Sequence, residues 1–249
     1  MLKINKNKRI GSVVFIVEGK NDEPKLLRDI FYKLLDYNIY RVDSLGNILK
    51  LVKKEDLYSR VAIVVNNKSQ ISSINSKNDY LDYVFRLLIN NNIDLYNSAI
   101  YYLFDRDYDS NKKEDIIELF EKFNNSREND SYDLHGLLLL SYPCLEAFYL
   151  NGNDDIKQYS NGKDIKSHVR RNRYRTNFNL EQLQCAVKEM LRVLNENINC
   201  CFENKFLDDM SDFNKIVLNR QDNYHKEKQL YITLSMISIS LINLGIVEL

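Results

Sequence analysis

The chain of 249 residues is poor in the residues that interrupt regular structure. Its 7 Gly and 2 Pro exclude collagen and Gly-rich or Pro-rich low complexity. Cysteine is scarce too: Cys144, Cys185, Cys200 and Cys201 form no CxxC pair, which argues against a disulfide framework and a zinc site. The adjacent Cys200 and Cys201 read as reduced cytoplasmic thiols. Net charge is absent, with 35 Lys+Arg against 35 Asp+Glu. Any nucleic-acid binding must therefore come from local patches or bound metal rather than from a basic coat. No apolar run reaches the ~20 residues of a membrane span. The nearest, Leu230–Leu249, is interrupted by Thr233, Ser235, Ser238, Ser240 and Asn243 and is expected to form a buried final helix. The basic start MLKINKNKRIGSVVFIVEG meets Glu18 too early for a signal-peptide core. The expected location is the cytoplasm, with no membrane partner.

What is present is apolar. Hydrophobic residues make up 44%, enough to bury roughly 70–75% of the unfolded chain's surface and to exclude disorder as the main state. Val13–Val17 has the continuous β-branched and aromatic pattern of a buried parallel strand. Asp22 follows as a candidate N-cap, with Glu23 and Pro24 in the first turn of an amphipathic stretch over Lys25–Tyr37. Further strands are expected at Ile39–Val42, Arg60–Val65, Ala99–Phe104 and His135–Leu140. Helices are expected at Ile48–Leu57, Asp79–Asn90 and Glu114–Phe123, with another starting in Cys144–Leu150. Strands alternating with helices point to an α/β parallel sheet. After Asn151, Leu180–Asn195, Phe206–Asn219 and Lys226–Leu244 have helical spacing and no strong strand run appears. The expected division is an α/β domain over residues 1–151 and a helical region over 152–249.

Acids gather where the strands end. Glu18 closes the first strong run, with Asp22 and Glu23 just beyond; Asp105, Asp107 and Asp109 close a later one; Glu146 follows Pro143 after a third. Chemistry in open α/β sheets collects at the carboxyl ends of strands. Clustered carboxylates repel and raise one another's pKa unless a cation is bound. Hard divalent ions take oxygen ligands, and two of them about 4 Å apart can drive phosphodiester cleavage.

VFIVEGKNDEPKLL followed by YYLFDRDYDS resembles a TOPRIM domain. LLLLSYPCLEAFYL is similar to the Pro-Cys-hydrophobic-Glu element of small RloB-like TOPRIM proteins, and Asp22 is placed as in OLD-type nucleases and the effectors of anti-phage systems such as PARIS. The resemblance covers roughly residues 11–151. It implies a TOPRIM (Rossmann-like), mostly parallel sheet flanked by helices, followed by a helical region. It further implies a metal-dependent endonuclease using Mg²⁺ or Mn²⁺, two ions in all. Glu18 would be a metal ligand or general acid/base. Asp105 and Asp107 would be ligands, and Asp22 and Glu146 would complete the second metal site or its surroundings. The substrate would be RNA, tRNA included, or DNA. The setting would be phage defence by abortive infection, with an ABC-type ATPase partner holding the effector in check and a homo-oligomer as a further arrangement. The segment Leu57–Ser98 is extra relative to the family, and the late Lys of OLD-type enzymes has candidates in Lys226 and Lys228 without a motif to select either. Topoisomerase and primase, which share the domain, need architecture that this length does not hold.

Lys166, His168, Arg170, Arg171, Arg173 and Arg175 form a dense basic cluster with Tyr174 interleaved. Such a cluster supplies phosphate contacts and a stacking ring for nucleic acid; the competing reading is a solvated helix face or a dock for an acidic partner. His135 reads as structural and His225 as exposed near a helix start. Cys144 reads as a small buried apolar residue. No HExxH, GxSxG or P-loop occurs. Two other classes stay open. One is a DxD phosphatase or glycosyltransferase; the other is a non-catalytic interaction module on a TOPRIM scaffold.

Overall fold

The apolar runs become the strands of one sheet. The computed structural model describes residues 2–19, 22–42, 47–65, 79–106, 108, 111–128, 135–151 and 158–249. Its elements run β1 (Lys3–Ile4), β2 (Ser12–Val17), α1 (Asp22–Arg28, continuing as a π-helix over Asp29–Leu34), β3 (Tyr37–Val42), β4 (Ile48–Lys53), β5 (Asp56–Val65), α2 (Asp79–Asn90), β6 (Ser98–Asp105) and α3 (Lys113–Lys122). There follow β7 (Leu137–Tyr142), α4 (Ala147–Leu150), β8 (Gln158–Tyr159), α5 (Gly162–Arg171), α6 (Leu180–Glu196), α7 (Ser211–Lys228), β9 (Tyr231–Ile232), β10 (Leu234–Ser235), α8 (Ile237–Asn243) and β11 (Val247–Glu248). The seven-stranded central sheet has the order β10-β7-β6-β2-β5-β4-β3. Its middle is parallel: β2 pairs with β5 on one side and β6 on the other. β3, β4 and β5 form an antiparallel meander, and β10 runs antiparallel to β7. The chain is thus α/β, a sheet with a parallel centre flanked by helices, compatible with a Rossmann-like arrangement.

Contacts divide the chain into two compact units. One comprises Lys6–Leu103 and Asp109–Leu138, the other Met1–Asn5, Phe104–Tyr108 and Leu139–Leu249.

In the first unit, β2 is buried from Val13 to Val17 because both of its edges are paired and these residues are apolar. Asp22 and Glu23 lie in the first turn of α1, where carboxylates favour the helix dipole. α1 and its continuation bury Leu26, Leu27, Ile30 and Phe31, and Phe31 meets Phe15 of β2 at 5.7 Å and Tyr37 at 5.3 Å. Ile48–Leu57 is not the expected helix. It forms β4, a two-residue turn and the start of β5. Ile48, Leu51 and Val52 satisfy a helical period over so short a run, but pairing on both edges of β4 overrides it.

In the second unit, α6 is fixed at its start by a capping box between Asn179 and Gln182. It buries Leu183, Val187, Met190 and Leu194. The expected strand-free region and long final helix are corrected here. α7 reaches Lys228 and stops at Gln229, whose φ is 56°; the chain then extends as β9 and β10, and only Ile237–Asn243 is helical. The Tyr-Ile-Thr-Leu-Ser stretch is β-prone. Its backbone is taken up by Gln221, whose side-chain amide donates to the Ile232 carbonyl and accepts from the Ile232 N–H. The Ser235 and Ser141 hydroxyls meet at 2.8 Å across β10 and β7. Among the described residues no helix is long and apolar enough to cross a membrane.

Candidate functional site

The topology singles out one point on the sheet. The connection leaving β2 through α1 leads toward β3, β4 and β5. The connection leaving β6 through α3 leads the other way, to β7. β2 and β6 are neighbours, so their carboxyl ends flank a topological switch point, where ligands bind in open α/β sheets. The ladder holds Val17 opposite Leu103. Glu18 follows β2, and β6 ends on Asp105.

In the first unit, Glu18 and Asp22 are half-buried and Glu23 is buried. The Glu23 carboxylate turns back over Gly19, in the space a side chain at residue 19 would need. The contact brings Glu23 to the strand end.

In the second unit, Asp105 is half-buried and its Oδ1 accepts the Leu145 N–H at 2.8 Å. That bond ties the end of β6 to the segment after Pro143. The next residue there, Glu146, is 2% exposed. Its Oε1 meets Arg175 Nη2 at 2.6 Å, and Lys166 Nζ is 3.9 Å from its Oε2. Burial pushes the Cys144 thiol well above its ordinary value, and the Asp105 and Glu146 carboxylates push it further, with Lys166 opposing. Two carboxylates and one cation thus act on the Cys144 thiol. Gly162, which opens α5, lies against Cys144: a Cβ there would meet Cys144 Cβ at 3.1 Å.

The basic cluster therefore divides. Lys166 and Arg175 turn toward Glu146. His168 lies between the rings of Tyr159, at 6.1 Å, and Tyr174, at 5.9 Å. Arg170, Arg171 and Arg173 are exposed, the first two in the last turn of α5, where cations favour the helix dipole.

The turn after β6 carries contacts that no local pattern announces. Arg106 is buried and makes a two-pronged pair with Asp222 of α7: Nε to Oδ1 at 3.2 Å and Nη2 to Oδ2 at 2.9 Å. Its backbone N–H donates to the Ser141 carbonyl at 2.8 Å. The Tyr108 N–H donates to the Tyr231 hydroxyl at 3.1 Å. His225 stacks between Tyr108 and Tyr231, with ring centres 4.4 Å from each. His225 thus sits in the last turn of α7 and not at a helix start, and Lys226 and Lys228 are exposed in that same turn. His135 is half-buried, its Nδ1 3.4 Å from the Lys122 carbonyl.

Asp107 and Asp109 lie outside the described residues. Among those described, no group of three or more His, Cys, Asp or Glu side chains is close enough to hold a metal ion. The donor type at the strand ends is carboxylate oxygen, the class that Mg²⁺ and Mn²⁺ take. No protein-family model, no curated protein and no solved structure matches the chain.

Proposed function

We propose that the chain is a metal-dependent nuclease of the TOPRIM type, cutting phosphodiester bonds of RNA or DNA. The observation that carries the reading is that β2 and β6 are parallel neighbours at a topological switch point, paired as far as Val17 and Leu103, with an acid soon after each of those residues in the sequence. In this reading Glu18 acts as metal ligand or general acid/base, Asp105 and Asp107 as ligands, and Asp22 with them at a second position. A pair of divalent ions, when bound, activates a water and stabilises the leaving oxygen. The chain's own part is to orient the acids: the Leu145 N–H fixes one Asp105 oxygen, and the Glu23 carboxylate lies over Gly19 beside Glu18. Glu146 is engaged by Arg175 and Lys166, so it serves the site as the anchor of two cations able to meet phosphate oxygens. A direct ligand role for Glu146 requires those cations to give way. Arg170, Arg171 and Arg173 supply sequence-independent backbone contacts. A role as a defence effector restrained by an ATPase partner, or by self-association, belongs to the same proposal and rests on the family resemblance.

The test is cleavage of plasmid, single-stranded DNA and total tRNA by the purified chain in Mg²⁺ or Mn²⁺ against EDTA. Metal-dependent cutting lost in both Glu18→Gln and Asp105→Asn is the expected result. Cutting that survives both substitutions would sink the assignment of the site.

A further inference from the structure

We propose that Asp222 is a positioning residue for Asp105, acting through Arg106; this rests on the nuclease reading. Arg106 directly follows Asp105, yet it is 1% exposed. Asp105 is the last residue of β6, so the direction in which Arg106 leaves the strand bears on the backbone that carries the Asp105 carboxylate. What fixes Arg106 inward is the fork of two hydrogen bonds to Asp222, itself 1% exposed. Such a bidentate pair restrains both distance and plane.

The hold is built from several directions. Asp222 takes the Arg106 side chain. Ser141 takes the Arg106 N–H. The Tyr231 hydroxyl takes the Tyr108 N–H. Arg106 also lies over the Tyr108 ring at 5.3 Å, and His225, one turn beyond Asp222 on α7, packs that ring from Tyr231's side. The buried Tyr142 hydroxyl shares the electrostatic surroundings of Asp222, Arg106 and Tyr231. The Arg106 side chain and the Tyr108 N–H are thus both held by residues from a distant part of the sequence. A buried ion pair is a poor way to gain stability, because desolvation offsets the attraction and apolar residues serve as well or better. What it does supply is one geometry for Arg106 and for the strand end beside it, and a divalent ion needs its carboxylates in one geometry. Asp222 touches no substrate; its effect reaches the reaction through where Asp105 stands.

The test uses the full chain and Mn²⁺, whose free ion is counted by electron paramagnetic resonance, with Asp105→Asn as the reference for loss of the site. In Asp222→Asn one acceptor becomes a donor facing the guanidinium. Mn²⁺ affinity and kcat should each fall about tenfold or more, the equivalent of one charge-assisted hydrogen bond, while KM for nucleic acid stays near that of the unaltered chain. Near-ultraviolet circular dichroism reports whether the variant folds. If it does not, Tyr231→Phe, which removes the acceptor of the Tyr108 N–H, takes its place and should weaken Mn²⁺ about threefold. Unchanged Mn²⁺ affinity and kcat in the folded variant would overturn the positioning role and leave the nuclease reading standing. Mn²⁺ binding no tighter in the unaltered chain than in Asp105→Asn would instead remove the nuclease reading, and the proposal with it.

Discussion

The Glu146 carboxylate, 2% exposed, lies 2.6 Å from Arg175 Nη2, across 29 residues of sequence. That contact turns one basic cluster into two sets of residues with different duties.

The two sets should separate on mutation. Arg175→Ala strands a buried carboxylate and should cost about 2 kcal/mol of unfolding free energy, somewhat less than a fully buried pair because Arg175 is 22% exposed. Arg170→Ala and Arg171→Ala, on exposed residues, should stay within about 0.5 kcal/mol. Under the nuclease reading each of the latter weakens nucleic-acid binding and lowers the salt dependence by about one charge. Urea melts and binding at several salt concentrations check both halves. Equal stability losses at all three positions would show that the Glu146 contact contributes nothing.

Gly136→Ala should be severely destabilising. Residue 136 has φ 145°, and a Cβ there would stand 2.9 Å from the Ile100 carbonyl and 2.9 Å from the Tyr102 ring. The close neighbour is backbone, which cannot swing aside. A loss of about 3 kcal/mol or more is expected, above the ~1–3 kcal/mol typical of overpacking alone. Thermal melts of the variant decide it; a loss near the ~1 kcal/mol of an ordinary substitution would contradict the close approach.

Acid should weaken the fold partly through Asp56 and Asp209. Each carboxyl is held below its ordinary 3.8, Asp56 first by the Ser59 hydroxyl and then by the Tyr58 N–H, Asp209 by the Ser211 hydroxyl and N–H. The folded state then binds fewer protons than the unfolded chain around and just below pH 3.8. The resulting stability is present above that pH and is lost as pH falls through the lowered values. Asp56→Asn combined with Asp209→Asn should flatten the fall in urea midpoint below about pH 4. Parallel curves for variant and unaltered chain would rule this out.

The Arg106–Asp222 pair should show strong non-additivity. Removing one partner leaves a buried charge uncompensated and should cost about 3–5 kcal/mol, whereas Arg106→Leu with Asp222→Leu together should recover much of it. A double-mutant cycle by chemical denaturation measures the coupling. Additive losses would mean that the two charges do not sense one another.

The legible parts of the fold are those fixed by local composition. β2, β6 and β7 are continuous apolar runs because both faces of each are covered, and α2 has the same bounds in sequence and structure, Asp79–Asn90. β4 was misread because Ile48, Leu51 and Val52 fit two periods at once, and only its neighbours decide between them. The C-terminal stretch was misread for a similar reason: Gln221 reaches the Ile232 backbone from another element, and nothing in residues 230–235 records it. In the candidate site, Glu18 and Asp105 were visible as acids at strand ends. The engagement of Glu146 by Arg175 and the fork between Arg106 and Asp222 were not, because long-range charge pairing leaves no spacing to read.

The brace on the turn after β6 has a consequence in time. Glu18 and Asp105 leave the ribosome well before Asp222 and Tyr231, the residues that fix the turn. β10, the outermost strand beyond β7, comes later still. A nascent chain therefore carries Asp105 before the partner of Arg106 has been synthesised. Under the nuclease reading, a chain truncated before Asp222 carries Asp105 without the bond that holds Arg106, and should cut about tenfold or more slowly than the full chain.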